Sequence, residues 1–324
     1  MGVRRNILAN TAARQAFIDG VTALKQEESA FRPSDLGIPL VGGAPDTPLS
    51  TWDLFVLWHW HAMSTPTGGG RNGAHRGPVF LPWHRWFLLE LEAQIQRVLA
   101  DQDFGLPYWD WAADGDRTPA QQRASTLWTA AVMGRTNSTG RVVSGAFTVA
   151  RGFRIRLDHT QQQGLFATNR SLRRTGGVQL ATLPTSAQVQ AIINDHPVYD
   201  ALPWNSGSAS GFRNLVEGNL AFSNDSPAEL HNRVHVWVGG DMLPPTSPND
   251  PVFYLNHCNV DRLWARWQAR HPAAGYRPIT GSQTLAFHRR NDPMFRPFWW
   301  TNNDPTVRPR DMLDVAARYT FDIL

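Results

Sequence analysis

A mainly α-helical fold organised around a four-helix bundle is what these 324 residues predict. Four segments repeat apolar residues at helical spacing between recognisable start and stop signals, each of the four contains histidine, and the long middle of the chain lacks periodicity. The first segment, TWDLFVLWHWHAM (51–63), has Ser50 or Thr51 as its cap and Pro66 beyond its end, and contains His59 and His61. The second opens with Pro82 at the first helical position and reads WHRWFLLELEAQIQRVLA up to Asp101, with His84 in its first turn. The third, ELHNRVHVWV, follows a capping box at Ser226-Pro227-Ala228-Glu229, carries His231 and His235, and stops at Gly239-Gly240. The fourth opens at Asp250-Pro251, runs through Val252, Phe253, Leu263 and Trp267, and ends before Pro272, with His257 in its second turn. Residues from about 117 to 214 read as loops and short elements packed on this core, apart from apolar runs such as 189–193.

Hydrophobic residues make up 42% and charged residues 18%, and 14 Trp with 16 Phe exclude a disordered chain. The Gly/Pro-rich stretches at 42–48, 66–73 and 114–119 are loop-sized, so one domain is expected over 1–324, with its core at about 51–270. No window approaches the roughly 18 apolar residues of a membrane span, and no apolar run follows the first arginines, so neither anchor nor secretion signal is expected. The net charge of +4 is scattered, which gives nucleic-acid binding no support. Cys258 is the single cysteine, which excludes an intramolecular disulfide and any Cys-based metal cluster.

Attention therefore passes to the 11 histidines. Residues four apart on a helix face the same way, so His231 and His235 can hold one metal ion and His257 can complete the set from a neighbouring helix. His59, His75 and His84 form a second triad, with His61 as the rival to His59 and His75 in a loop. Imidazole triads suit copper, zinc or iron, and spacing alone does not choose among them. HNRVH has the outer spacing of a zinc-protease motif, but Asn232 stands where that chemistry needs glutamate. Two neutral triads without bridging carboxylates favour dioxygen between two copper ions. The remaining histidines, His159, His196, His271 and His288, read as surface or loop residues.

The triads together with RGPVFLPWHRWFLLELE (76–92), PYWDWAAD (107–114), GFRNLVEG (211–218), LHNRVHVWVGG (230–240) and SPNDPVFYLNHCNVDRLWARWQ (247–268) resemble bacterial tyrosinases, which are type 3 copper proteins. The resemblance implies that His59, His75 and His84 bind a first copper and His231, His235 and His257 a second, with O2 as co-substrate. It implies hydroxylation of monophenols and oxidation of o-diphenols to o-quinones. A phenol with a pKa near 10 must lose its proton on binding, and by resemblance Glu217 and Asn232 hold the water that accepts it. The 14 residues from Glu217 to His231 exceed the expected spacing, and NLAFSNDSPAE reads as an insertion.

Other implications follow from the same likeness. Phe253 packs against a ligand imidazole. Asn256 replaces a histidine that many relatives carry beside the last ligand, while Gly73 and Ala74 leave no cysteine for a thioether at the first copper. Cys258 is expected as a small buried hydrophobe, and Val236 as a wall of the substrate entrance. The 67 residues after His257 leave no room for a shielding C-terminal domain, so proteolytic activation is not expected. A small caddie protein that delivers copper is the implied partner beside the phenolic substrate, and the location is cytoplasmic, or secreted through a partner carrying the signal. The same di-copper site would also serve a catechol or o-aminophenol oxidase without monophenol hydroxylation and, more remotely, a hemocyanin-like O2 carrier.

Overall fold

The computed structural model describes residues 1–218, 230–301 and 303–324. Among them are nine α-helices: α1 (Thr11–Gln26), α2 (Thr51–Ser64), α3 (Phe80–Leu99), α4 (Trp111–Gly115), α5 (Pro119–Arg123), α6 (Ser186–Asp195), α7 (Phe212–Glu217), α8 (Leu230–Val238) and α9 (Val252–Arg270). The four helices predicted around histidine are α2, α3, α8 and α9. The capping box at 226–229 and the insertion at 219–229 lie outside the described residues.

Helix α2 begins where Ser50 accepts the N–H of Asp53 and Asp53 accepts the N–H of Ser50, which satisfies two otherwise orphaned donors. Helix α3 starts at Phe80, two residues earlier than Pro82 suggests, because a first-turn N–H has no acceptor in the helix and its absence costs no bond there. His84 consequently sits in the second turn. The helix ends at Leu99, where Ala100 adopts a left-handed φ of 50°.

Aromatic side chains seal the helices together. Phe55 of α2 meets Phe87 of α3 edge-on at 5.5 Å, Trp58 meets Trp86 at 5.0 Å, and Phe87 stacks on Tyr254 of α9 at 5.8 Å. Each such pair contributes about 0.5–1.5 kcal/mol beyond the area it buries. Helix α1 covers the outer side of α2 and α3, where buried Lys25 pairs with Asp53.

The described residues include six short strands, whose positions the sequence does not mark: β1 (Gly2–Arg4), β2 (Pro66–Gly68), β3 (Arg71–Asn72), β4 (Ile155–Thr160), β5 (Gly164–Arg170) and β6 (Tyr319–Phe321). They form three two-stranded sheets. The hairpin β4–β5 buries Ile155 and Leu157 on one face, and Asn249 donates to the Leu157 carbonyl at 2.7 Å, so the hairpin braces the turn that leads into α9. Strand β1 pairs in parallel with β6. Beneath that pair the buried Arg4 bonds Glu92 at 3.0 Å and Asp261 at 2.8 Å, and its guanidinium lies 3.5 Å from the centre of the Tyr319 ring. No described helix is long and apolar enough to cross a membrane.

A candidate dinuclear metal centre

His59 from α2, His75 from the loop after β3 and His84 from α3 converge, as do His231 and His235 from α8 with His257 from α9. In each triad one nitrogen from every ring lies within 4.8 Å of the other two. His61, the rival, instead packs half-exposed near Phe298, with ring centres 5.8 Å apart. The two triads abut, since the His84 and His257 rings stack 4.2 Å apart and His75 faces His231 at 5.9 Å. Phe253 lies between them, 4.1 Å from the ring of His257 and 5.0 Å from that of His59, as the sequence led one to expect.

The backbone fixes the tautomers. A carbonyl can only accept, so Nδ1–H of His59 donates to Pro245 (2.7 Å), that of His84 to Phe80 (2.8 Å), that of His231 to the Glu217 carbonyl (3.1 Å) and that of His235 to Met242 (2.6 Å). Their Nε2 atoms are then bare lone pairs. Those of His84 and His235 are buried without a partner. The Nε2 atoms of His59 and His75 stand 3.2 Å apart, and those of His231 and His257 3.0 Å apart. Burial holds the imidazoles of His59, His84, His231 and His257 well below their usual pKa and that of His235 down to about 4, the neighbouring rings adding to the effect at all five while the backbone bonds partly offset it at His59, His84, His231 and His235. Neutral imidazoles whose lone pairs converge in a buried cluster, two of them without a partner, are the donor arrangement that a metal cation takes. The donor set therefore fits two copper ions, one in each triad.

His75 is held differently. Its Nδ1 lies 3.3 Å from the carboxylate of Glu217, whose Oε1 also accepts the backbone N–H of Arg76 at 2.6 Å. Burial works to raise the pKa of Glu217, but the His75 hydrogen bond and the charge of Arg213 outweigh it, and the carboxyl stays below its usual range. Glu217 closes α7, so it faces His75 before the insertion begins. Asn232 donates to the Gly218 carbonyl at 3.2 Å, which ties the start of α8 to the end of α7.

The Common central domain of tyrosinase matches residues 49–270. The chain belongs to the tyrosinase family. It is 43% identical to a tyrosinase of Streptomyces galbus over the whole of both chains, and 43% identical to one of Streptomyces glaucescens over 84% of this chain and 88% of that one. Among solved structures, a polyphenol oxidase from Thermothelomyces thermophila superposes with a TM-score of 0.68 at 20% identity, over all of this chain and 89% of the other, a likeness of fold. The protein is a copper oxidase of the tyrosinase type, with a dinuclear copper cofactor and a mainly helical fold.

Other sequence expectations fare unevenly. Cys258 is buried, with Sγ donating to the Leu106 carbonyl at 3.2 Å and its pKa pushed far up by burial. Asn256 is also buried, and its amide makes no hydrogen bond among the described residues. His288 is a correction: it sits in a loop, but with no exposure, bonded to Thr67 at 2.8 Å and lodged against Gly77, where a Cβ would come within 2.7 Å of its ring. Its surroundings are polar only through tertiary contact, so local sequence gave no sign of burial. Asp200 and Arg213, which stand behind Glu217, carry no local signature of that role in the sequence.

Proposed function

We propose that the chain hydroxylates monophenols and oxidises o-diphenols to o-quinones with O2. In this reading His59, His75 and His84 hold the first copper and His231, His235 and His257 the second, while Glu217 and Asn232 handle the phenolic proton. The observation that carries it is the buried Glu217 carboxylate 3.3 Å from a first-triad imidazole, at the junction of two converging histidine triads. When bound, two copper ions supply the dioxygen reduction and the two-electron oxidation of the ring. The residues do the rest. Glu217 and the amide of Asn232 hold a water that takes the phenol proton. Phe253 and the surrounding Trp side chains exclude bulk solvent, which strengthens every charge interaction inside.

Oxygen uptake by the copper-loaded chain, with tyramine and with an o-diphenol, tests this. Uptake with both supports the full reading. Uptake with the diphenol alone removes hydroxylation and leaves an o-diphenol oxidase, and oxygen binding without turnover of either would leave a carrier. The proposal extends to one domain over 1–324, to a small copper-delivering caddie protein as partner, and to residence in the cytoplasm or export on a partner's signal. Copper loading as efficient in the chain expressed alone as with a candidate partner would remove the caddie.

A further inference from the structure

His75 is the one triad member outside a helix, and its support comes from side chains. Asn72 Oδ1 accepts the N–H groups of Ala74 (3.1 Å) and His75 (2.7 Å). Arg76 follows with φ at 60°, a left-handed backbone that costs a non-glycine residue about 1–3 kcal/mol unless its surroundings hold it. The group that holds it is Glu217, whose Oε1 takes both the Arg76 N–H and the His75 Nδ1 contact. The other oxygen, Oε2, accepts from Arg213 Nη1 at 2.9 Å.

Arg213 lies one turn before Glu217 on α7 and is wholly buried. Its Nε and Nη2 reach Asp200 Oδ2 at 2.9 and 2.8 Å, and its Nη2 also donates to the Asn205 carbonyl at 3.1 Å. Asp200 and Glu217 share this one guanidinium, and all three have exposures of 1% or less. A planar fork fixed on one side by Asp200 leaves Glu217 a single place to put its carboxylate. The short helix α7, of six residues, offers little rigidity of its own.

We infer that Arg213, anchored by Asp200, is a positioning residue for the first copper: it fixes Glu217, which in turn fixes the ring of His75 and the strained peptide at Arg76. Partners of this kind orient a ligand ring and raise its basicity, and losing one typically costs about 10–100-fold in metal affinity. The inference rests on the assignment of His75 as a ligand in the proposed function, and it assigns Arg213 and Asp200 no contact with substrate.

The test is a copper titration of the full chain against a competing chelator, with the two affinities resolved, for Arg213→Gln, Glu217→Gln and the double variant. Each single variant is expected to weaken one copper by about 10–100-fold and leave the other within twofold. The double variant is expected to be no weaker than Glu217→Gln, because Arg213 acts through Glu217. Circular dichroism of the copper-free chains checks folding. Should Arg213→Gln fail to fold, Arg213→Lys keeps the charge without the fork, and a shift of about 3–10-fold at the same copper is expected of it. Both affinities unchanged in whichever variant folds, or losses that multiply in the double variant, overturn the inference. Both coppers weakened alike would mark Arg213 as merely structural and overturn it too. The hydroxylation reading fails separately, if copper-loaded Glu217→Gln turns over a monophenol at the parent rate.

Discussion

In the second triad, His231 and His235 stand one turn apart on α8 and His257 faces them from α9, so backbone geometry alone aims all three rings. In the first triad, His59 and His84 are aimed the same way, by α2 and α3, but His75 leaves a loop whose shape depends on Asn72, on a left-handed Arg76 and on Glu217. Four of the five helical histidines need only a backbone carbonyl to fix their tautomer. A loop needs a framework of side chains to fix the ring at all, and here that framework joins the neighbouring Asn72 to Glu217, which is more than a hundred positions away. The first site should therefore be the softer of the two.

The largest effect expected is from ligand loss. His235→Ala and His75→Ala should each leave about one copper per chain by elemental analysis and lower oxygen uptake at least about 10³-fold, the several kcal/mol that a metal supplies to a transition state. Two coppers retained in either variant would remove that residue from its site. Phe253→Ala breaks the comparison differently, because Phe253 touches rings of both triads. It should lower the stability of the copper-free chain by about 3–5 kcal/mol in urea, and weaken both coppers rather than one.

The third prediction concerns acid. His288 packs against Gly77, beside the His75 loop, and its pKa is pushed down to about 3 by burial, with Arg71 and Arg213 adding to the effect. Below about pH 6.5 the unfolded chain binds a proton that the folded chain refuses, so the stability His288 contributes is complete above that pH and falls as pH drops toward 3. His288→Asn should shallow the slope of stability against pH by about 1.4 kcal/mol per unit between pH 6 and 4, read from urea midpoints of the copper-free chain; an unaltered slope would contradict the assignment. The smallest effect is that of Ser50→Ala, which removes the cap of α2 and should cost about 1 kcal/mol by thermal melting without shifting the affinity of either copper.

Much of the centre was legible because helical periodicity converts sequence spacing into direction. The four core helices and the direction of five of the six triad histidines followed from it, while the packing of Phe253 was implied only by the resemblance to tyrosinases. What escaped had no local signature. Asp200 and Arg213 are 13 residues apart in a stretch without periodicity, and only the fold brings their charges together behind Glu217. His288 reads as a loop histidine because its cover comes from β2 and from the turn at Gly77, both distant in sequence. The start of α3 was misplaced for a simpler reason: proline is compatible with several first-turn positions, so Pro82 marks a beginning only to within a residue or two. Three-residue strands such as β1 and β6 lack the length to declare an alternation at all.

The pairing of β1 with β6 bears on how the protein is born. Ribosomal synthesis delivers Arg4 before Asp261 and Tyr319, two of the groups that enclose it. All six triad histidines leave the ribosome before Tyr319 does. The β1–β6 pair, and with it the cover that the Tyr319 ring lays over Arg4, can therefore close only after every triad histidine has been made.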